Sequence, residues 1–312
     1  MKQTILGSGG GIGIPLAREL QNYTNQIRLV SRNPKKVNDS DELYHANLAN
    51  PAEIDGAIAG SEVVYVTVGF EYNLKVWKAV WPPFVEAVVA SCLKHQCKLI
   101  FFDNMYLYAK SEVPFMTESS IIGAPSEKGK VREQLHRMIM DAVEQKSLNA
   151  LIARAADFYG PENNSSALTM MAAQNLMKGK KAMAFGDVDK IHSYTYTPDA
   201  AKATAVLGNT PDAYNQVWHV PTTKEKWTTR RWIEQIATEL DTENQVLPLQ
   251  KWLVRIMGWF IPVMREFPEM FYQYEQDYVL DSSKFEKRFG MIATAPEEGI
   301  RKTIEFLKSS SR

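Results

Sequence analysis

Cysteine is nearly missing from this 312-residue chain, where Cys92 and Cys97 are the only two. Two thiols so close together at a helix end suit a reducing compartment and exclude a disulfide-stapled framework. Histidine is almost as scarce: five scattered residues show no paired ligand spacing, so no metal site is expected. An excess of either charge is also lacking. Thirty-six basic residues balance thirty-six acidic ones, which leaves no overall field for a polyanion and excludes nucleic acid as a partner. The longest apolar run, Trp252 to Met264, spans 13 residues and contains Arg255. A bilayer-spanning helix needs roughly 20. The start, MKQTILGSGGG, reads as a strand entering a glycine turn rather than a secretory signal. The expectation is a cytoplasmic protein with no transmembrane segment, and 45% apolar residues give it ample material for a core.

Short β-rich runs alternate with helical patterns through the first half, the signature of a parallel sheet with crossover helices. Strands are predicted over residues 3–6, 26–30, 62–68, 98–102 and 149–152, with a weaker one over 43–46. Helices are predicted over 12–21, 51–59, 74–95 and 126–144. Beyond Gly160 the alternation decays into a helix over 167–178, a strand over 182–185 and mixed segments, with no linker between the halves. The fold expected is α/β, a Rossmann-type doubly wound parallel sheet. Residues 1–160 would form the dinucleotide-binding core, and 161–312 a smaller, interleaved substrate lobe with a cleft at the carboxyl edge of the sheet.

The stretch ILGSGGGIG, residues 5–13, holds five glycines in seven positions between a strand and a helix. Backbone N–H groups and the helix dipole favour a phosphate at such a junction. Gly7, Gly10 and Gly13 form G-x-x-G-x-x-G, whereas the commoner G-x-G-x-x-G frame fails because Ile12 takes its last glycine position. Ser8 and Gly11 complete the turn. The next strand ends in Ser31-Arg32, where an acid would ordinarily accept hydrogen bonds from the ribose of NAD. An arginine there suits a 2′-phosphate, which favours NADP over NAD, although a basic residue after a strand is also an ordinary solvated turn.

By these motifs the chain resembles the short-chain dehydrogenase/reductase superfamily, in its atypical, extended, epimerase-like branch. Ala46-Asn47-Leu48 sits where that family has Asp-Leu beside the adenine. Residues 59–65 match the approach to its fourth strand, whose end, Thr67-Val68-Gly69, joins Asn47 and Leu48 as implied cofactor contacts. RAADFYGP (154–161) resembles R-P-x-x-x-Y-G-P, YTPDAA (196–201) opens a helix with Asp199 as its cap, and residues 281–290 and 295–306 resemble the closing helices. The resemblance implies an enzyme that handles hydride, with a Ser/Thr beside the nicotinamide and a Tyr-x-x-x-Lys helix. The tyrosine would exchange a proton, and the lysine would stabilise the phenolate and hold the ribose.

Two departures stand out. Asn104 takes the Ser/Thr position, and Lys130 fits the lysine while the residue four earlier is Ser126, too weak an acid to replace a phenol. Tyr106 is the nearest replacement, as proton relay or as pocket wall. Asp103 would orient Lys130 or, more simply, cap the turn. Tyr108 and Tyr159 read as packing and anchoring residues. On the substrate side Asp157 would read a ligand hydroxyl or serve as a loop hydrogen-bond hub, the alternation His192, Tyr194, Tyr196 would face the cleft or form a half-buried strand with aromatic cross-strand neighbours, and Arg230 and Arg231 are the candidates for a pyrophosphate. Trp252, Ile256, Trp259, Phe260 and Val263 follow helical spacing, and core packing, a homodimer contact or a lid for a bulky substrate, and more distantly a membrane surface, would each cover them. Two functions remain open: an NADP(H)-dependent oxidoreductase or epimerase/dehydratase-like enzyme acting on a small carbonyl or secondary alcohol, such as a sugar nucleotide, or a dinucleotide-binding sensor that has lost catalysis.

Overall fold

The computed structural model describes residues 1–163 and 166–310. In chain order the first half contains β1 (Gln3–Leu6), α1 (Gly13–Leu20), β2 (Ile27–Ser31), β3 (Glu42–His45), α2 (Ile54–Ile58), β4 (Val63–Val66), α3 (Leu74–His95), β5 (Lys98–Asp103), α4 (Glu127–Lys146) and β6 (Ala150–Arg154). There follow β7 (Asp157–Tyr159), α5 (Gln174–Met177), β8 (Ala182–Phe185), β9 (Tyr194–Tyr196), α6 (Thr197–Gly208), β10 (Val217–His219), α7 (Thr229–Leu240), β11 (Val246–Leu249), α8 (Lys251–Met257), α9 (Ser283–Phe289) and α10 (Pro296–Ser310). Seven strands form one sheet in the order β10-β6-β5-β4-β1-β2-β3. Every pairing in it is parallel. This is the doubly wound α/β architecture, with its switch point between β1 and β4.

Apolar side chains cover both faces of the sheet, which is why its inner strands read as continuous apolar runs. One face packs on α2, α3 and α4 through Trp81, Phe84 and Leu135. The other packs on α1 and α6 through Leu16, Ala200 and Leu207. Polar residues within β1 are satisfied across the sheet: Tyr65 donates to Gln3 at 2.8 Å, and the Thr4 and Ser61 hydroxyls meet at 2.6 Å. A separate core holds the second half together, with Trp232, Ile233, Ile300 and Ile304 packed on Tyr159 and Tyr194. The sheet still takes its last strand, β10, from that half. One helix, α3, is long and apolar enough to cross a membrane by length and composition. Its Trp77, Trp81, Phe84, Val85 and Val88 are instead buried against the sheet and α4.

Some predicted helices take other forms. Residues 51–59 split into a tight turn and the short α2, and 167–178 open with a wide π-type turn over Leu168–Ala173 before α5. The spacing that runs from Trp252 to Val263 outlasts its helix, because α8 ends at Met257 and a tight turn, Pro262–Glu266, follows. Asp199 does not cap α6: Tyr196 holds that position, and the Asp199 carboxylate instead accepts from the backbone and hydroxyl of Thr294 at 2.6 and 2.9 Å.

Candidate functional site

Because the strands are parallel, all their carboxyl ends lie on one edge of the sheet. Along that edge stand Ser31-Arg32 after β2, the glycine turn after β1, Thr67 to Gly69 after β4, Asn104 to Tyr106 after β5 and Asp157 beyond β6. Four strand spacings separate the first from the last, roughly 19 Å.

Two glycines are required by the turn itself. Gly7 has φ +100°, and a Cβ there would stand 2.4 Å from Val68 Cα; one on Gly13 would stand 2.5 Å from the Gly7 carbonyl oxygen. Gly9 and Gly10 are exposed, with nothing closer than 3.9 Å to their missing Cβ positions, so a ligand can approach that backbone directly. A Cβ on Gly11 would stand 3.0 Å from the Asn163 Cβ. Ser8 and Ile12 are buried, and α1 begins at Gly13 with no side-chain cap and no acid in its first turn. Within α1 Ile14 donates to Gly10 and Leu16 to Ile12, and Pro15 has no N–H, so it is the exposed glycine backbone ahead of the helix that faces an anion, and this cradle fits a dinucleotide pyrophosphate. Thr67 supports the turn by donating to the Gly7 carbonyl at 3.2 Å, while Gly69 faces open space. At the adenosine end Arg32 is exposed. Two nearby acids are already engaged, Asp41 by the backbone of Val37 and Asn38, and Glu42 by Lys2 and Arg28. The Asn47 side chain shapes its own turn by accepting from Ala49, and Leu48 is core.

The other half of the edge is lined with phenols. Tyr106 is half-buried and stacks on Trp77 at 6.3 Å, while the Asn104 carbonyl oxygen accepts from its backbone N–H. Burial pushes the Tyr106 phenol well up and the Asp157 charge adds to this, against a hydrogen bond from Tyr72 and the Arg132 charge. Asp157 accepts from His192 Nε2 at 2.9 Å, and the His192 ring stacks on Tyr274 and Tyr278 at 5.3 and 4.5 Å. Burial first, and then Asp157 among the neighbouring charges, also raises Tyr72, Tyr194, Tyr274 and Tyr278, with Tyr272 pushed up to about 12. Six phenols around one carboxylate are therefore held protonated at neutral pH. Tyr194 is buried against His192 and Trp232.

Lys130 is not brought to Tyr106. Ser126 caps α4 by accepting from Gly129, and this start sets the helix phase so that Lys128, Gly129 and Arg132 face inward. Lys130 points outward, 63% exposed, and pairs with Glu127 at 2.6 Å. A Cβ on Gly129 would stand 2.3 Å from the Tyr106 carbonyl oxygen, so α4 crosses this loop in backbone contact. Lys128, fully buried, holds Glu266 and Glu269 at 2.6 and 2.7 Å and lies over the Tyr72 ring. Arg132 lies over Trp77 and Trp81 at 4.6 and 4.0 Å. Sequence reasoning misses both cations, yet residues 128, 132, 135, 139 and 142 form one helical stripe with Leu135, Ile139 and Ala142, which marks them as inward. Arg231 stands exposed on α7 over the Trp227 ring, and Arg230 pairs with Asp189.

Asp103 neither caps the turn nor orients Lys130. It is buried at the end of β5 between Arg154 at 3.3 Å and Arg132 at 3.6 Å. Arg154 also donates to the Tyr108 hydroxyl and to His136 Nδ1, both at 2.9 Å, and Tyr108 meets His219 Nε2 at 2.8 Å. Burial pushes His136 down to about 4 and His219 down to about 3. Both folded values lie below the unfolded one, so their contribution is complete above pH 6.5 and is lost as the pH falls, when unfolded imidazoles take protons that the folded ones refuse. The expected loss is about 2 kcal/mol for each histidine at pH 5. Glu118, raised by its own burial, opposes this at the acid end. Urea unfolding at pH 7 and pH 5 measures the drop, and His219→Gln should remove about half of it.

The model of the NAD dependent epimerase/dehydratase family matches residues 4–220. Among solved structures, the UDP-glucose 4-epimerase of Thermotoga maritima, solved with UDP-glucose, aligns at TM-score 0.81 and 16% identity, covering 100% of both chains. The UDP-glucuronic acid 4-epimerase of Bacillus cereus, solved with UDP-glucuronic acid and NAD, aligns at 0.82 and 14%, covering 99% of this chain and 100% of that one. The dTDP-glucose 4,6-dehydratase of Bacillus anthracis, solved with NAD, aligns at 0.80 and 13%, covering 99% and 97%. No curated protein matches the chain.

Proposed function

Because the chain belongs to the NAD dependent epimerase/dehydratase family, we propose that this epimerase-like enzyme moves hydride between NADP(H) and a carbonyl or secondary alcohol, with Tyr106 handling the proton. A bound dinucleotide would supply or accept the hydride, and the chain's own residues position and protonate. Gly9 to Gly13 receive the pyrophosphate, supported from below by Thr67 and Val68, while Ser31 and Arg32 meet the 2′-phosphate. Asn104 keeps its amide N–H groups free to donate to a substrate oxygen, since its carbonyl oxygen is already used. The single observation that carries the reading is the half-buried Tyr106 phenol on the same sheet edge as the open glycine backbone. With its pKa raised, Tyr106 is protonated at neutral pH, with a proton to give to a carbonyl oxygen and no phenolate to take one from an alcohol.

Around Asp157 the nearby cations are already matched, Lys128 by two glutamates and Arg132 by Asp103. A phosphate on the substrate would be met by Arg231, whose carboxylate partner Glu234 stands 3.8 Å away at a partly exposed position. Arg231→Ala should therefore raise KM for a sugar nucleotide and leave KM for an uncharged ketone unchanged.

Calorimetry and NADPH consumption across a carbonyl panel test the whole reading. NADPH should bind about tenfold or more tightly than NADH, and Arg32→Ala should erase the difference. Tighter NADH binding that survives Arg32→Ala would align the chain instead with the NAD-bound structures. The outward position of Lys130 favours a second reading, the sensor, which predicts tight NADPH binding with no turnover of any panel member.

A further inference from the structure

Among the described residues, large apolar side chains are exposed singly or in pairs at Phe115, Ile121 and Ile122, and Ile292, but the segment from Lys251 to Arg265 gathers six of them. Helix α8 fully buries only Val254, in a small cluster with Phe185, Leu249 and Phe271. Its opposite side and the turn beyond expose Trp252 by 62%, Ile256 by 42%, Trp259 by 76%, Phe260 by 80%, Ile261 by 43% and Val263 by 44%. Apolar residues scattered singly over a surface are ordinary, but six within twelve consecutive positions form a contiguous patch of the kind that marks a contact. The turn is also tied back on itself, because the Arg265 guanidinium donates to the carbonyl oxygens of Gly258 and Trp259.

Charge decides what covers the patch. Lys251, Arg255 and Arg265 accompany the apolar side chains and no acid occurs from 251 to 265, although Glu275 stands 3.9 Å from Lys251. Glu266, the first acid after them, turns inward to Lys128 and the Leu74 backbone. A second copy of the chain meeting this face across a two-fold axis would set one cationic patch against another of the same sign, which disfavours a dimer here. An anionic surface with an apolar interior satisfies both features: indole and phenyl rings settle at headgroup depth, and arginine and lysine reach up to lipid phosphates.

We propose that residues 251–265 form a peripheral membrane-docking finger, with Trp259 and Phe260 entering the headgroup layer of an anionic bilayer and Lys251 and Arg255 pairing with its phosphates. The finger continues into the wall of the substrate cleft, where Phe267 packs on Tyr72 and Phe185. Docking would thus place the cleft beside a membrane.

Flotation of the full chain with phosphatidylcholine vesicles, with and without phosphatidylserine, tests this. Binding should favour the phosphatidylserine vesicles about tenfold at low salt and weaken as salt rises. Trp259→Ser with Phe260→Ser should abolish flotation, and Lys251→Glu with Arg255→Glu should remove the preference for anionic lipid. Unchanged NADPH affinity and thermal midpoint would certify that the variants are folded. Absence of flotation with either vesicle would overturn the proposal, as would flotation indifferent to the Trp259/Phe260 substitutions. A dimer in sedimentation that dissociates in the same double variant would also overturn it, assigning the patch to a second copy.

Discussion

Asp103→Asn should cost this protein about 3–5 kcal/mol of stability and lower its thermal midpoint by on the order of 10 °C. The substitution keeps the size and shape of the side chain, removes its charge and turns one acceptor oxygen into an N–H donor facing a guanidinium. Asp103 is the one anion between two buried guanidiniums, Arg132 and Arg154, which are 7% and 1% exposed. Without it both cations lie in an apolar interior with no counter-charge, and the indole faces of Trp77 and Trp81 compensate Arg132 only in part. Arg154→Met should cost less, because it leaves Asp103 paired with Arg132 in a one-to-one balance. That ordering is the diagnostic result. Equal costs for the two variants would show that the hydrogen bonds of Arg154 to Tyr108 and His136 matter more than the charge balance. Thermal and urea unfolding of the two variants beside the parent measure it.

Tyr106→Phe should lower the turnover of carbonyl reduction by roughly 10²–10⁴-fold, the usual contribution of a positioned general acid. Its effect on stability should be small, since the phenol's hydrogen bond is to Tyr72 at the rim of the cleft. NADPH affinity should not change, because the residues read as holding the dinucleotide lie on β1, β2 and β4 and the loops that follow them. The pH profile adds a second check with a definite sign. The reaction needs the protonated phenol, and burial and Asp157 both raise its pKa, so the reduction rate should show no alkaline fall near pH 10, where an ordinary tyrosine titrates. A rate that dropped through neutral pH would assign the proton to another group. Full activity in Tyr106→Phe would remove Tyr106 from the chemistry.

The sheet is legible in the sequence because its inner strands are covered on both faces. QTIL, VVYV and LIFF are unbroken apolar or sheet-forming runs bounded by turns, and the glycine motif marks the first crossover without ambiguity. Helix caps are less legible: Asn73 and Ser126 cap their helices, while the cap read from the sequence, Asp199, does not. The catalytic half is harder to read, for two physical reasons. The first is phase: a match to a spaced motif selects Lys130, but the Ser126 cap starts the helix at a point that turns Lys128 and Arg132 inward instead. The second is distance along the chain. Tyr72, Tyr106, Asp157, His192 and Tyr272 to Tyr278 come from separate segments, and no local pattern announces that they surround one carboxylate. Asp103 shows the same limit, since its partners Arg132 and Arg154 lie on α4 and β6.

The backbone contact between Gly129 and the Tyr106 loop limits any attempt to retrofit this chain with the familiar tyrosine and lysine. Ser126→Tyr would remove a helix cap and still leave Lys130 in water on the far side of the helix, while a lysine at 129 would drive its β-carbon into the loop it is meant to serve. A designer wanting a cation beside the Tyr106 phenol would do better to work from Arg132, already inward, and tune its strength there.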